Sequence, residues 1–572
     1  MPPRRIAVLG GGLSGLTTAY HLTRLLPTSK ITLLDSASRV GGWIDSSIRE
    51  IGFRDAEGVI REGTVTTESG PRSIRPKGSK GAPGMLRLLR DLDMLDSIIP
   101  VTHHHPSAKN RFLLDTSSNK LTALPSSPLS LLGPQPSLLK GLVPSALSEP
   151  FRTRRRLDPD PDPARGRGHD ESVDSFFRRR FGDKIATNLA SAMVHGIYAT
   201  SSSQLSVRAA FPILWDAEVK YGSVLIGMLR GVKSSEEKSL EQKEWDELGE
   251  LGRKRKEWSL YGLRGGLRSL TNRLLEQLIR DGKVDTRLGQ SATAMEVVSP
   301  SSSSTATANA DTRVVRIHTS SAETIECDHI ISALPPPVLS RLLSSVNSVR
   351  SKVTSNFNAN PYTSVGVVNI IYPIPPHKIH PAGFGYLIPR PSTTQLNPHG
   401  ILGVIFDSTA VPFSTSSNDV EGMVTKLTVM MGGPYWSTYQ PTLTRPSDDE
   451  QLTHNAITHL NGIFPHLNKV EPILKVGRIH TNCIPTYLPG HGDRLRELHH
   501  ALTPAAMSPS VAGPSPYNDD AGSEWRGRLS LVGNGYGGVG VNDCVYSAEE
   551  VVKALATGQA TATGLERWES WQ

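Results

Sequence analysis

Three cysteines in 572 residues, Cys327, Cys483 and Cys544, are too few for a disulfide scaffold, and none is paired at a metal-like spacing. No stretch approaches 18 uninterrupted apolar residues, which excludes a transmembrane helix. The first apolar strand begins about five residues after Met1, so no cleavable presequence is expected, and any organelle address would be internal or uncleaved. No repeat is visible at a period of 20 to 50 residues. The histidine triplet His103 to His105 is expected to be a solvated loop, because adjacent side chains rarely converge on one ion; no metal site is expected. The charge surplus is small as well. The net +8 suits an anionic membrane, an acidic ligand or nucleic acid equally, and no nucleic-acid recognition motif accompanies it, so no nucleic-acid partner is expected.

What is present is a globular composition, 37% apolar and 20% charged, on a chain too long for one hydrophobic core, so at least two domains are expected. Four stretches read as insertions: Arg152 to Asp170, Ser234 to Trp258, Pro300 to Asp311 and Thr503 to Ser523. The second is expected to be an exposed helix or a disordered arm. Between them, Arg5 to Leu9 predicts a strand, Leu13 to Leu26 a helix and Ile31 to Leu34 a second strand, giving a βαβ start. Val365 to Tyr372 is continuously apolar and predicts a strand buried on both faces. Leu427 to Met431 and Leu529 to Val532 predict further strands, the latter followed by a glycine loop and a helix from about Val545 to Leu555.

The βαβ start carries Gly10-x-Gly12-x-x-Gly15 between strand and helix. The first glycine serves the tight turn, the second lets a pyrophosphate reach the backbone, and the third allows close helix–strand packing. Gly10, Gly11, Gly12, Leu13, Ser14 and Gly15 thus form a candidate phosphate cradle at a helix N-terminus. Asp35, at the end of the second strand, is the candidate acid for a ribose hydroxyl, with Ser36 beside it. A second strand–glycine loop–helix unit spans Leu531 to Val552. Two distant glycine loops suit a long dinucleotide whose parts are held by separate segments, and leave NAD and FAD both open until the residues after Asp35 are read.

Arg39-Val40-Gly41-Gly42 resembles the mark of the flavoprotein superfamily shared by amine oxidases and phytoene desaturases. Within it the chain resembles the protoporphyrinogen oxidase family, through Val40 to Ser46, Glu68 to Pro76, Asn110 to Leu114, His195 to Pro212, Tyr261 to Leu274, Gly383 to Pro389, Leu427 to Gly433 and Gly538 to Cys544. The insertions are long for that family, and Asp35 stands where Glu is more usual. The resemblance implies an α/β fold (α+β overall): a Rossmann-like FAD-binding domain of the amine oxidase type, a mixed-sheet substrate domain and a helical membrane-associating domain. The expected division gives 1–90, 259–335 and 525–572 to the FAD domain, 91–225 to the helical region and 336–502 to the substrate domain, with 226–258 and 503–524 as insertions.

The resemblance further implies oxidation of protoporphyrinogen IX to protoporphyrin IX by non-covalently bound FAD, with molecular oxygen as acceptor and peroxide as by-product, the penultimate step of haem biosynthesis. It implies that Arg111 pairs with a substrate propionate, that Phe384, Leu387 and Met430 clasp the macrocycle, and that Gly196 turns its carbonyl toward the pyrrole nitrogens. On the cofactor side it adds Arg39, Gly41, Gly42, Trp43, Gly70, Pro71, Arg72, Ser73, Ala292, Asn534, Val539, Gly540 and Val541. No side chain is assigned as a base, since the flavin carries the chemistry. Leu124 to Phe151, leucine- and proline-rich, is the expected contact with a membrane surface, peripheral and at the mitochondrial inner membrane. A homodimer and hand-over of product to ferrochelatase are further expectations of the resemblance. Two alternatives stay open: an amine oxidase, and a non-catalytic escort protein of the same fold.

Overall fold

The structure, a computed structural model, describes residues 2–571 apart from Ala56 and the segments 127–135, 153–169, 299–312, 345–351, 412–419, 438–441, 505–522 and 559–561. Pro300 to Asp311 and most of Arg152 to Asp170 and Thr503 to Ser523 therefore lie outside the described residues, as do Leu131 and Leu132 of the expected membrane stretch.

Two sheets organise the chain. The first has the order Leu529–Leu531, His329–Ser332, Arg5–Leu9, Lys30–Asp35, Val284–Leu288, with every neighbouring pair parallel. Arg5–Leu9 lies in the middle and is buried from Ile6 onward, because helices cover both sides. The helix Leu13–Leu25 turns Leu13, Leu16, Ala19, Tyr20 and Leu22 inward at helical spacing and packs along a late helix, Val541–Ala556. That late helix begins four residues earlier than its apolar periodicity suggests, since its first turn is Gly540-capped loop sequence rather than core.

The second sheet has seven strands, in the order Leu474–Pro485, Tyr362–Tyr372, Thr425–Gly432, Ile401–Ile405, Gly385–Leu387, Phe112–Asp115, Lys120–Ala123. Tyr362–Tyr372 is buried along nearly its whole length, as the unbroken apolar run predicts. Gly366 lets the helix Asp449–Ile463 approach one face, where an added Cβ would collide with Leu452. On the other face Ile371 packs with Ile51, Phe53 and Val65 of the hairpin Ser46–Arg54/Ile60–Glu68. Phe112–Asp115 and Lys120–Ala123 depart from the mostly helical character expected for 91–225. They join this sheet because Phe112 and Leu113 pair in parallel with Tyr386 and Leu387. The expected charged arm is ordered: Ser235–Asp246 is a helix with a Ser234/Glu237 capping box, and its Trp245 is buried under the Arg255 guanidinium, 3.6 Å from the ring centroid.

Helices cover the space between the sheets, and one ion pair ties them together. Arg180 and Glu149 are both fully buried and mutually bonded; Arg180 also donates to the Gly222 carbonyl at 3.0 Å. Glu149 accepts from Val224 N–H at 2.9 Å and from the Ser223 hydroxyl at 2.5 Å, so it caps the helix Val224–Arg230. Burial alone would raise the Glu149 pKa, but these donors together bring it below the ordinary carboxylate value. Its contribution to stability is accordingly present at neutral pH and lost as pH falls through the carboxylate range. Glu149→Ala should destabilise the protein by about 3–5 kcal/mol, whereas the double replacement Glu149→Met, Arg180→Met should cost less than either single change. Thermal unfolding at pH 7 checks both; a double variant weaker than the singles would mean that the pair is not coupled as described.

Candidate functional site

The two glycine loops meet at the carboxyl ends of the parallel strands. Gly10 adopts φ +98° and donates to the Leu34 carbonyl at 2.8 Å, while a Cβ on Gly15 would strike the Gly10 carbonyl. Gly12 is the N-cap of Leu13–Leu25, with no side-chain cap and no acid in the first turn, so Leu13, Ser14 and Gly15 leave helix N–H groups available to an anion. A Cβ on Gly12 would touch only the Gly42 Cα, at 4.0 Å, which leaves open space above the helix end. Asp35 accepts from Gly11 N–H at 2.5 Å and from Ala37 N–H at 2.7 Å, fixing the loop as well as ending the strand. Ser36 is exposed beside it, and Ala292 begins a strand directly after Gln290, whose N–H reaches the Asp35 carbonyl at 3.0 Å.

The turn after Arg39 packs on this loop. Gly41 N–H donates to the Gly11 carbonyl at 2.9 Å, and Gly41 and Gly42 hold φ +107° and +57°. The Arg39 side chain is committed to the carbonyls of Val40, Gly42 and Ile44, so it shapes the turn from behind rather than offering a free cation to a ligand. Trp43, 40% exposed, stands edge-on to His480. In the segment Gly70 to Ser73, a Cβ on Gly70 would collide with the Trp43 carbonyl, while Pro71 is exposed and Ser73 half-buried. Arg72 turns its side chain to Asp407 at 2.6 Å, so its guanidinium is committed to an ion pair. Asp407 meets the Thr428 hydroxyl, Thr428 lies 2.9 Å from Asn369, and Asn369 donates to the Glu68 carbonyl at 3.1 Å. This polar chain, absent from the sequence reading, joins the end of the hairpin and the Arg72 segment to the second sheet. Burial pushes the Glu68 carboxyl up to about 7 even though Ser46 and Leu267 N–H donate to it.

The late loop completes the cradle. Gly533 lies where an added Cβ would be 3.4 Å from the Ser14 hydroxyl, bringing both helix starts together. Asn534 donates to the Cys483 carbonyl at 3.3 Å, and its own carbonyl accepts from Tyr487. Val539 is half-buried, and Gly540 caps Val541–Ala556, its N–H bonded to Asp543 at 3.1 Å. Two converging helix N-termini, glycines that leave the space above them free and an acid at the strand end fit an FAD. The pyrophosphate would rest on Gly12 to Gly15, the ribose on Asp35, and the flavin between Gly42, Gly70 and Val541.

Beside this cradle is an apolar slot. Leu387 and Met430 both register with Gly403, so they share a sheet face, and the glycine lets Leu387 lean across it, where an added Cβ would lie 2.9 Å from the Leu387 side chain. Val367 registers with Met430 and extends the wall. Gly403 was not singled out by sequence; inside the apolar ILGVI run nothing distinguishes it from packing. The helix Ser191–Tyr198 covers the slot. A Cβ on Gly196 would lie 2.8 Å from Leu387, so glycine permits the close approach. The helix ends at Tyr198, with Ala199 at φ +47°, which leaves last-turn carbonyls such as that of Gly196 without intrahelical partners. His195 donates to the Ile388 carbonyl at 2.8 Å, and burial lowers its pKa to about 4, so it is neutral. Phe384 is half-buried, with the Arg111 guanidinium 5.9 Å from its ring centroid. The structure thus brings Gly196, Phe384, Leu387, Met430 and Arg111 to one region.

The expected membrane stretch is divided. Leu139 is buried with Leu113 and Ala192, and Leu124 and Leu138 pack on the same cluster as Leu387. This part faces inward, because it backs the slot. Leu147 and Phe151 remain outside, 71% and 90% exposed, next to Leu229 at 88% on Val224–Arg230. Among the described residues no helix is long and apolar enough to cross a membrane.

Replacing Gly12 by valine should place a branched side chain where the pyrophosphate would lie. The Gly12→Val protein should fold, with a thermal transition near that of wild-type apoprotein, yet retain little flavin absorbance; full retention would show that the space above Gly12 is not the phosphate site.

Residues 13–556 match the family described as flavin containing amine oxidoreductase. The chain is 32% identical to protoporphyrinogen oxidase of Homo sapiens, covering 97% of this chain and 99% of the relative. It is 30% identical to that of Schizosaccharomyces pombe, over 96% and 98%. A solved protein from Exiguobacterium sp. 255-15 shares the fold with a TM-score of 0.64 at 21% identity, over 97% of this chain and 99% of that one. The chain therefore belongs to the protoporphyrinogen oxidase family of flavin containing amine oxidoreductases.

Proposed function

We propose that the protein oxidises protoporphyrinogen IX to protoporphyrin IX, with oxygen as acceptor and hydrogen peroxide as by-product, the penultimate step of haem biosynthesis. The observation that carries this is the apolar slot of Leu387, Gly403 and Met430, roofed by Gly196 and bordered by Arg111, directly beside the double glycine cradle. FAD, when bound, supplies the two-electron oxidant and returns the electrons to oxygen. The protein's own part is positional. Leu387, Met430 and Phe384 present apolar surface to a flat macrocycle, and Gly196 offers a carbonyl to pyrrole N–H groups at the negative end of its helix. Arg111 offers two planar donors to a propionate that sheds water on entering the slot. The histidines of the site, buried His195 by the slot and half-buried His480 beside Trp43, are held by backbone carbonyls, and loss of water lowers the pKa of both. That leaves orientation as the work of the side chains. Intact glycine loops count against a non-catalytic escort.

We place the protein peripherally at the mitochondrial inner membrane. Exposed Leu147, Phe151 and Leu229 form the contact. A homodimer and hand-over to ferrochelatase rest on the resemblance alone.

Turnover of protoporphyrinogen IX, followed by porphyrin fluorescence, tests the activity; no fluorescence gain from flavin-loaded enzyme would refute it. Arg111→Ala should raise KM about tenfold or more with flavin content unchanged, the loss of one charge-assisted bond, and Arg111→Lys should recover only part. An unaltered KM would remove Arg111 from the site. Serine at Leu147, Phe151 and Leu229 together should release the protein from anionic liposomes in a sedimentation assay while flavin stays bound, since each buried apolar side chain is worth about 1.5–3 kcal/mol. A variant that still sediments would place the contact elsewhere.

A further inference from the structure

The substrate sheet and the late glycine loop are fastened to each other at one residue, Asn534. Its side-chain amide donates to the Cys483 carbonyl at 3.3 Å, and its own carbonyl accepts from the Tyr487 hydroxyl. Both partners lie on one stretch of chain. Cys483 is in Leu474–Pro485, the edge strand of the seven-stranded sheet, and Tyr487 stands two residues past its end. The Tyr536 carbonyl of the same loop is held differently, by the Arg567 guanidinium at 3.2 Å. Arg567 follows Thr563, whose carbonyl accepts from Leu531 N–H at 2.8 Å, so it ties the loop to its own framework. Tyr487 itself is buried and closely held. Its ring stacks on His491, with centroids 4.3 Å apart and planes 12° from parallel, and meets Tyr198 edge-on at 6.1 Å. His491 accepts at Nδ1 from the Asn360 amide at 2.8 Å. The Tyr487 carbonyl accepts from Ser206 N–H at 2.7 Å, and the neighbouring Thr486 hydroxyl donates to Thr200 at 2.8 Å. Tyr198 is the last residue of the helix Ser191–Tyr198 that covers the slot. One side chain thus meets the roof of the slot with its ring and the cofactor loop with its hydroxyl.

We infer that Tyr487 is a positioning residue for the oxidation: its hydroxyl holds the Asn534 carbonyl and so sets the late glycine loop, with the flavin it would carry, at a fixed separation from the slot. This rests on the porphyrinogen reading above. The slot belongs to the seven-stranded sheet and its helical cover, whereas the loop belongs to the parallel sheet. Hydride transfer needs the ring carbon and its acceptor at contact distance, and the rate falls steeply when they are misplaced by an ångström or less. The chain from Arg72 through Asp407 to Asn369 secures the sheet on the hairpin side, and Tyr487 secures it at the loop. Without the hydroxyl, Asn534 would keep only its 3.3 Å bond to Cys483, and the loop would depend on Arg567 and its own framework. Tyr487 acts through the Asn534 backbone rather than on the reacting atoms.

The test uses full-length protein carrying Tyr487→Phe, which keeps the ring and its stack on His491 and deletes only the donor. When the flavin-loaded variant is mixed anaerobically with protoporphyrinogen IX, flavin reduction should slow about tenfold or more, with KM held within about twofold. Reoxidation by oxygen, which needs no alignment with the slot, should run at the wild-type rate. FAD titrated into the apoprotein should bind about fivefold more weakly, the loss of one neutral hydrogen bond, at an unchanged thermal midpoint. If Tyr487→Phe fails to fold, Asn534→Leu takes its place: it removes the bond to the Cys483 carbonyl and should likewise slow reduction while leaving reoxidation unaltered. Flavin reduction at the wild-type rate, or an unchanged FAD affinity, overturns the inference and leaves the functional reading standing. Reduction and reoxidation slowed alike, with a lowered thermal midpoint, would make Tyr487 merely structural and overturn the inference as well. If protoporphyrinogen IX does not reduce the wild-type flavin, the functional reading itself falls, and the inference with it.

Discussion

Gly12, Gly42 and Gly70 come from separate turns, and each lies where a Cβ would press on the backbone of a neighbouring turn or fill the space between them. That close approach of bare backbone is the constraint from which the site follows. It lets the Arg39 turn lie on the fingerprint loop, with Gly41 N–H bonded to the Gly11 carbonyl, and it lets the Gly70 segment lie on Trp43. The late loop joins through Gly533 and Ser14. Three turns from the first 75 residues and a loop more than 450 residues later thus converge around one open volume, and helix N–H groups face it from two sides.

A polar chain transmits this arrangement to the second sheet. Arg72, Asp407, Thr428, Asn369 and the Glu68 carbonyl run from the cofactor side onto the face that carries Met430 and Leu387. Thr428 and Met430 are two apart on one strand, so the residue that anchors the sheet and the one that lines the slot share a face by the period of the strand. The slot's distance from the cradle is therefore set by backbone pairing and buried hydrogen bonds rather than by flexible side chains. Such precision matters where catalysis consists largely of positioning.

Burial also governs the ionisable groups. His195 and His480 are kept neutral and tied to carbonyls, while Glu68 is pushed into the neutral range by the same loss of water. Arg111 lies on the exposed side, against the Phe384 ring. Apart from the ion pair of Arg72 with Asp407, the ionisable groups of the site thus sort by depth, neutral inside and cationic at the rim. That sorting suits a ligand with an apolar ring and acidic edges.

How much of this was legible beforehand differs by residue. Gly10 to Gly15, Asp35, Gly41 and Gly42 announce themselves because their work is local: a turn, a helix end and a strand end within one βαβ unit, with spacing fixed by short-range geometry. The buried strand around Val365 to Tyr372 is legible for the same reason. Other features exist only through long-range pairing. Gly403 becomes the seat of the Leu387 side chain only when Ile401–Ile405 is placed between Leu387 and Met430, and Phe112–Asp115 enters the substrate sheet only through its parallel pairing with Gly385–Leu387. Leucines 138 and 139 read as an exposed patch until Leu113 and Ala192 are brought against them. Arg39 and Arg72 carry a cofactor motif in the sequence, yet their side chains are taken by turn carbonyls and by Asp407. The sequence by itself determined the dinucleotide cradle, because its hydrogen bonds close within a few residues. The tertiary structure alone decided the place of Gly403 under Leu387 and the inward face of the leucine-rich stretch, because each needs partners that only folding brings into reach.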